Sequence, residues 1–362
     1  MSGRALRGWA LAAWALWCAG AALAQGDDSA RRFTHKDWEL ACDNTRTCRA
    51  AGYYAMDSDG AFINLVSLRI TRAAGPDAPV SMTLKLDDDS PCHSTLARLK
   101  IGKTDLGRFS LRATEDGLAF TPEQARAVLP QLLKAGQPVV WRCGDDKQPV
   151  GALSVAGLSA VLLKMDEWQG RLNTPGALAR RGGKSESSVL PPVPAPVVKV
   201  AAPVPTRPED QALAARIFPK LDLRRYADEC GMFDEKPKAE DFEVHRLTAH
   251  RVLLSAPCQM GAYNEAAQHW IADDTPPYAP RLIEAQGDFN DADTSISQTM
   301  KGRGIGDCLS FRTWHFDGQT FVLTAASGDD MCRGFAGGAW NLPTYVSSVV
   351  PAGSGDSKLL KP

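Results

Sequence analysis

The sequence carries almost no net charge and only one long apolar run. Its formal net charge is −1 over 362 residues, which provides no field for holding nucleic acid or an anionic membrane surface. The apolar run, from Trp9 to Ala22, is shorter than the roughly 20 residues that span a bilayer. A multi-span membrane protein is therefore excluded. A content of 44% hydrophobic and 23% charged residues is that of a folded, soluble protein.

The amino terminus has the three-part pattern of a cleavable secretory signal. Arg4 and Arg7 precede the apolar run, and Ala22-Leu23-Ala24 provides the small residues that signal cleavage requires. A bulky residue precedes Cys18, whereas lipid attachment to a cysteine expects a small one. The pattern predicts removal of residues 1–24, export to the periplasm or the exterior, and no membrane span afterwards. An uncleaved anchor is the alternative.

Eight cysteines remain after the signal, and none belongs to a Cys-x-x-Cys pair or has a histidine at zinc-finger spacing. An even number of cysteines in an exported chain indicates disulfide bonds. A metal site or catalytic thiols are the alternatives, and we expect no metal and no cofactor. The expected disulfide cysteines are Cys42, Cys48, Cys92, Cys143, Cys230, Cys258, Cys308 and Cys332.

A proline-rich segment divides the mature chain. Residues 184–208 contain seven prolines, and proline fixes φ and lacks a backbone donor. Polyproline II is the natural conformation, which predicts a semi-rigid spacer of up to ~75 Å. The spacer would separate an amino-terminal β-rich domain at 25–183 from a carboxy-terminal one at 209–362. Each would contain four cysteines, so we expect each domain to be stabilised by its own disulfides.

Short alternating segments predict strands in the first domain. Trp38–Cys42 and Cys48–Tyr53 flank a polar turn, and such a hairpin brings Cys42 close to Cys48. If Cys143 lies at the end of a strand, Cys92 is left as its partner. The other predicted strands are Phe62–Thr71, Val80–Leu86, Phe109–Ala113 and Val139–Cys143.

Two helices are expected in the same domain. Thr121 to Gln124 forms a capping box with proline at the first helical position. Leu158 to Gln169 has apolar residues at helical spacing. The first domain is therefore predicted to be α+β and mainly antiparallel, with helices packed on one side.

The second domain is predicted to be β-rich α+β as well. It opens with a helix at Glu209–Phe218, and Asp317-Gly318 is a strong hairpin turn signal. Cys308 and Cys332 flank that hairpin, and Cys258 could pair with Cys230. The predicted strands are Phe242–Thr248, Arg251–Ala256, Arg281–Glu284, Leu309–Trp314 and Thr320–Thr324.

Few residues in the sequence suggest catalysis or ligand binding. The glycine-rich segment Gly302–Gly306 could cradle an anion with Arg303 as its charge, but it lacks the context of a phosphate-binding loop. A tight turn leading to a disulfide is the alternative. Residues 288–295 offer oxygen ligands but miss the EF-hand pattern, and a solvated loop is the simpler interpretation. The candidate ligand-surface residues are Arg303, Asp307, Tyr263 and Trp340. No catalytic residue is assigned.

Separated motifs resemble a known family. Asp37–Ala50, Met165–Arg171, Gly302–Cys308 and Trp314–Gly318 resemble segments of a family of exported bacterial proteins classed as a domain of unknown function, number eleven seventy-six. The resemblance implies an exported protein without an established activity, and it identifies no catalytic residue. The Trp38–Cys42 opening is also similar to the invasion-associated locus B proteins, which suggests a β-sandwich for the first domain.

These observations favour a non-enzymatic periplasmic protein that binds an envelope component or another protein. A stiff spacer between two domains would suit bivalent binding. A hydrolase acting on envelope polymers is one alternative, and a chaperone-like or structural envelope factor is another.

Overall fold

The computed structural model describes residues 31–55, 65–87, 90, 92–144, 149–223, 230–232 and 237–352. The predicted signal peptide and the beginning of the predicted strand at Phe62 lie outside these residues. Among the described residues, no helix is both long enough and apolar enough to cross a membrane.

The described strands of the first half form two sheets that contribute to one hydrophobic core. Their bounds are β1 Arg32–His35, β2 Trp38–Cys42, β3 Cys48–Tyr53, β4 Val66–Arg72, β5 Val80–Leu86, β6 Leu96–Ile101, β7 Thr104–Ser110, β8 Arg112–Thr114, β9 Gly117–Ala119, β10 Val139–Cys143 and β11 Pro149–Leu153. The larger sheet has the order β1-β2-β3-β4-β5-β9-β8, and the smaller has the order β11-β10-β6-β7. Trp38 of the larger sheet and Trp141 of the smaller are both in the shared core.

Two helices cover this core. Helix α1 spans Pro122–Lys134, and the reciprocal hydrogen bonds between Thr121 and Gln124 confirm the predicted capping box. Helix α2 spans Leu158–Trp168 and buries Val161 and Met165 against the core. Because apolar residues recur on one side of each helix, both helices lie with that side on the sheets.

The proline-rich segment lies against both halves. Leu190 N–H donates to the Gln169 carbonyl at 3.0 Å, and the Leu190 carbonyl accepts from Gly75 N–H at 3.0 Å. Further along, strand β12 (Val197–Val200) pairs in parallel with β21 (Ser348–Pro351). The residues between the prolines keep their N–H groups, so they can form such bonds at an edge. The segment therefore forms backbone hydrogen bonds with both halves, and its role as a semi-rigid spacer between two domains stays a prediction.

The second half is dominated by an eight-stranded antiparallel sheet in which consecutive strands are neighbours. A 3₁₀ turn at Pro208–Ala212 and the short helix α3 (Leu213–Ile217) replace the single helix predicted at Glu209–Phe218. One face of the first strands packs on α3, and a second apolar cluster forms around Phe316 and Phe321. The strand bounds are β13 Glu243–Arg246, β14 Arg251–Met260, β15 Glu265–Asp273, β16 Arg281–Asn290, β17 Ser295–Lys301, β18 Leu309–Phe316, β19 Phe321–Gly328 and β20 Pro343–Val346.

Four disulfide bonds join the eight cysteines of the described chain, and each lies within one half. Cys42 stands directly opposite Cys48 in the β2–β3 hairpin. The bonds are Cys42–Cys48, Cys92–Cys143, Cys230–Cys258 and Cys308–Cys332. The β-rich, disulfide-bonded character predicted from the sequence is confirmed, whereas the division into domains at 25–183 and 209–362 stays a prediction.

Part of the second half completes the core of the first. Phe335, Ala339, Trp340 and Leu342 belong to the same hydrophobic cluster as Trp38 and Trp141. The Asn44 side chain also donates to the Val346 carbonyl at 3.0 Å and accepts from the Val346 N–H at 2.8 Å. We call this contact between residues 329–346 and the first half the seam.

Candidate functional site

A cleft of about 440 Å³ lies between the two halves. One wall is a face of β18 and β19, the opposite wall comes from β5 and the β8–β9 turn, and a glycine-rich loop closes one end. The residues that line it are Lys85, Glu115, Asp116, Leu309, Phe311, Thr313, Ala325, Ser327, Asp329, Gly337, Gly338, Ala339, Trp340 and Asn341.

Strand pairing aligns the side chains of the sheet wall. Phe311 is opposite Ser327, and Thr313 is opposite Ala325, and residues directly opposite each other in an antiparallel pair share a face. The small side chains on β19 leave space in front of the half-buried ring of Phe311. Both strands are interior strands of the sheet, so recognition at this wall depends on side chains.

Asp329 shapes the loop at the end of the cleft. Its carboxylate accepts hydrogen bonds from Leu309 N–H at 2.9 Å and Ala339 N–H at 3.0 Å. Gly338 has a φ of +84°, and a β-carbon there would come within 3.1 Å of an Asp329 oxygen. Burial raises the pKa of Asp329 above its usual value, although the backbone hydrogen bonds partly offset this. The loop therefore needs glycine at 338 and a carboxylate at 329.

Trp340 closes the cleft and anchors the seam. Its indole Nε1 donates to Ser67 Oγ at 2.6 Å, and the Arg69 guanidinium lies 4.6 Å from the ring centre. Arg69 also pairs with Asp116 at 2.7 Å. Because only 5% of Trp340 is exposed, its ring is mainly a structural wall. Trp340 lines the cleft, and its predicted place on a ligand surface stays a prediction.

A buried carboxyl group joins the two halves beside this site. Glu39 accepts a short hydrogen bond from the Tyr53 hydroxyl and a second one, at 2.8 Å, from Asp330 N–H. Burial raises the pKa of Glu39 to about 7, with the hydrogen bonds opposing the shift. Arg333 of the second half pairs with Asp37 of the first at 2.8 Å. No local signal marked Glu39 as a link between the halves, because Asp330 lies 291 residues away in sequence.

The remaining candidate residues lie together at another place. Arg303 forms a two-pronged ion pair with Asp307, which also accepts from Gly334 N–H. Burial alone would raise the pKa of Asp307, but these hydrogen bonds lower it below its usual value. The ring of Tyr263 lies on Gly304. The structure therefore brings Tyr263, Arg303 and Asp307 together, and it places Trp340 elsewhere.

Asp307 lies next to a disulfide. Its carboxylate and the sulfurs of Cys308 and Cys332 lie within 4.8 Å of one another, a spacing that would suit a metal. The two sulfurs are bonded to each other in a disulfide, and the Asp307 carboxylate forms an ion pair with Arg303. All three groups therefore have structural roles. In this state the glycine-rich segment is a turn leading into the disulfide.

The Met165–Arg171 motif is a buried polar network. The Arg171 guanidinium donates to the carbonyls of Ala73, Gly75 and Pro76 and to the side chain of Gln169. Both Gln169 and Arg171 are fully buried. The motif therefore holds loops of the first half in place and does not line the cleft.

A serine–histidine pair lies inside the second sheet. Ser255 Oγ lies 2.7 Å from His269 Nδ1, and Nε2 donates to the Gly287 carbonyl at 2.9 Å. Burial lowers the pKa of His269 to about 4. The imidazole is fully buried and neutral, so the pair is structural. The two residues are directly opposite each other on β14 and β15, a pairing that no pattern in the sequence predicted.

The acidic loop at 288–295 uses its oxygens locally. Asn290 Oδ1 accepts from Ala292 N–H at 3.0 Å, and Asp293 Oδ1 accepts from Ser295. Asp291 lies 3.2 Å from His245. These contacts agree with the interpretation as a solvated loop of Asx turns.

Comparison with known proteins places the chain in a family. A family model described as "Protein of unknown function (DUF1176)" matches residues 32–347. The "Uncharacterized protein YpfG" of Escherichia coli (strain K12) is 26% identical over 343 residues, which cover 84% of this chain and 90% of that protein. No solved structure matches the chain, and the similarity to invasion-associated locus B proteins stays a prediction. Since the family match spans most of the sequence, the chain belongs to the DUF1176 family of proteins of unknown function, as its motifs indicated.

Proposed function

We propose that this protein is an exported, non-enzymatic binding protein of the cell envelope, and that it holds an envelope component in the cleft between its halves. The cleft carries this proposal, because its volume of about 440 Å³ is within the range of ligand sites, roughly 300–1,000 Å³. Its lining combines apolar surface at Phe311 with donors and acceptors at Lys85, Thr313 and Asn341. In this proposal, the cleft is formed jointly by the two predicted domains, residues 25–183 and 209–362.

The four disulfides support export. Such bonds persist in oxidising compartments and are rare in the bacterial cytosol, and the amino-terminal pattern at 1–24 would direct the chain out of it. The proposed location is therefore the periplasm or the exterior.

The state of the carboxyl groups favours binding over hydrolysis. Glycoside hydrolysis uses two free carboxyl groups that flank the bond. Asp329 accepts backbone hydrogen bonds, and Asp116 pairs with Arg69, which leaves Glu115 as the remaining carboxylate of the lining. Among the described residues that line the cleft there is no histidine or cysteine. A chaperone-like or structural role is the other alternative, and it predicts protection of unfolded clients without a saturable ligand.

A cleft-filling substitution tests the proposal. Ala325 is exposed on the cleft wall, so Ala325→Trp would occupy the space in front of Phe311 without disturbing the core. We expect the purified mature chain to retain a specific component from envelope extracts, and Ala325→Trp to retain at least about tenfold less, the equivalent of about 1.4 kcal/mol.

The matched control is Ala292→Trp, an exposed alanine on the 288–295 loop outside the cleft, which should bind like the wild type. Equal retention by both variants would contradict the cleft as the site. Release of a modified product during the incubation would favour the hydrolase.

A further inference from the structure

Exposed apolar side chains gather at two neighbouring loops of the second half. Among the described residues, four large apolar side chains are more than half exposed, and three of them are Met260 (67%), Tyr263 (57%) and Ile305 (63%). Met260 is the last residue of β14, and Tyr263 lies in the β14–β15 turn. Ile305 lies in a tight turn closed by a hydrogen bond from Gly306 N–H to the Arg303 carbonyl. We call these three side chains the loop patch.

Specific contacts join the two loops into one surface. The Asn264 side chain donates to the Lys301 carbonyl at 3.0 Å and accepts from the Lys301 N–H at 2.7 Å. The Tyr263 ring lies so close to Gly304 that a β-carbon there would be 2.8 Å from a ring atom. The glycine is therefore required for this close approach, which fixes Tyr263 against the loop that carries Ile305.

The loop that carries Ile305 is fastened at its base. Gly302 N–H donates to the Cys308 carbonyl at 3.0 Å, and Cys308 is bonded to Cys332. The Arg303–Asp307 ion pair spans the same loop. Because these contacts fix the backbone, Ile305 cannot turn inward to leave water. Clustered apolar side chains that a fold keeps in water mark an interaction surface.

The size of the loop patch favours a bilayer over a protein partner. Large side chains bury about 150–250 Å² each when fully covered, so the patch offers on the order of 300–400 Å² at its observed exposure. A stable protein interface needs about 800 Å² from each partner. Apolar side chains at a bilayer surface reach only about 5–10 Å into the headgroup boundary, and tyrosine is favoured at that depth.

The charges around the loop patch are mixed and fit lipid headgroups. Lys301 is exposed at its base, and Arg303 is 43% exposed whereas its partner Asp307 is buried behind it. Glu265, opposite Met260 in the hairpin, is an exposed acid. With a formal net charge of −1 for the whole chain, long-range attraction to lipid is small, so apolar insertion must provide the affinity.

We propose that the loop patch docks on the surface of a phospholipid bilayer, with Met260, Tyr263 and Ile305 at the headgroup boundary and Lys301 beside a lipid phosphate. This contact goes beyond the proposed function, because it is made on a surface outside the cleft lining. It would hold the protein at a membrane surface while the cleft stays available.

Vesicle sedimentation tests the contact. The mature chain is mixed with vesicles of phosphatidylethanolamine and phosphatidylglycerol, and we expect it to sediment with them. The double variant Met260→Ser/Ile305→Ser should lower the partition coefficient at least about tenfold, since two apolar side chains no longer insert. Lys301→Gln should lower it about two- to fivefold.

Val197→Ser is the matched control, because Val197 is 58% exposed on β12, outside the loop patch. It should sediment like the wild type. Absence of wild-type sedimentation, or equal sedimentation of the double variant, would overturn the proposal. A dimer seen by light scattering that the double variant abolishes would assign the patch to a second copy and would also overturn it. Unchanged melting temperatures would show that every variant is folded.

Discussion

The two halves each bury a titratable group whose charged form is disfavoured by burial, but in different places. Glu39 lies at the seam and accepts from a backbone N–H of the other half. His269 lies inside one sheet, and both of its ring nitrogens bond within the second half. Burial raises the pKa of the acid to about 7 and lowers that of the histidine to about 4.

Burial of a titratable group therefore does not by itself determine which part of the structure a change of pH destabilises. Ionisation of Glu39 acts on the contact between the halves, whereas ionisation of His269 acts on one sheet. The two groups also respond in opposite directions, so between pH 4.5 and 6.5 their contributions to the pH dependence of stability partly cancel.

The largest expected change in the free energy of unfolding follows from removing a disulfide, and this change tests whether the two halves unfold together. Cys92–Cys143 and Cys308–Cys332 close segments with sequence separations of 51 and 24. Replacing either pair with alanine should lower the free energy of unfolding by about 4 and 3.5 kcal/mol, respectively, from the loop-entropy relation. Because the seam joins the halves, calorimetry should show one transition that either variant moves. Two transitions, of which each variant moves only one, would support independent domains.

Substitution of Trp340 tests how much the seam contributes to stability. Trp340→Ala should lower the free energy of urea unfolding by about 3–5 kcal/mol, because it empties space in the core of the first half and removes the indole N–H that donates to Ser67 Oγ. Trp340→Phe keeps most of the volume and should cost less. Trp314→Ala, at a partly buried tryptophan packed on the second half's own cluster, is the matched control. A cost below about 1 kcal/mol for Trp340→Ala would contradict its place in the core.

Glu39→Gln should remove the loss of stability that the wild type shows as the pH rises toward 7.5. Glu39 has a pKa of about 7 in the folded chain, against an ordinary value of 4.5, so its contribution to stability is complete below pH 4.5 and is lost as the pH rises through 7. From pH 5 to 7.5 the wild type should lose up to about 3 kcal/mol that the variant keeps. Glu123→Gln, on the exposed side of α1, is the control. Parallel urea-unfolding profiles for wild type and Glu39→Gln would count against the assignment.

His269 should account for part of the loss of stability as the pH falls below 6.5. His269 has a pKa of about 4 in the folded chain, against an ordinary value of 6.5, so it contributes stability above pH 6.5 that is lost as the pH falls toward 4. Between pH 6.5 and 5 this is about 2 kcal/mol. His269→Gln should be less stable at pH 7 but should melt with a flatter dependence over that interval. The exposed His250→Gln should keep the wild-type slope, and an unchanged slope in His269→Gln would refute this role.

Local signals predicted much of the secondary structure. The Trp38–Tyr53 hairpin, the capping box at Thr121 and the Asp317-Gly318 turn depend on neighbouring residues, and each is present. Strand β15 was missed because most of its residues are buried, which removes the alternation that marks a strand with one exposed face. Strand β12 was missed because prolines surround it.

The candidate site was less predictable than the strands. Trp340 was recognised as an aromatic residue beside glycines, and it lines the cleft. Lys85, Asp116 and Phe311 line the same cleft but lie in ordinary surface patterns, and only the seam brings them together. The proline content of residues 184–208 describes the isolated segment, so it could not show the hydrogen bonds that neighbouring loops supply.

The seam also sets an order for assembly. A chain that emerges from a ribosome or a translocation pore delivers its amino-terminal half first. The cluster around Trp38 needs Trp340 and Leu342, so residues 329–346 must arrive before that earlier core is complete. Until then its apolar surface is open to incorrect partners, and a truncated product that ends before the seam should be recognised by proteases as unfinished.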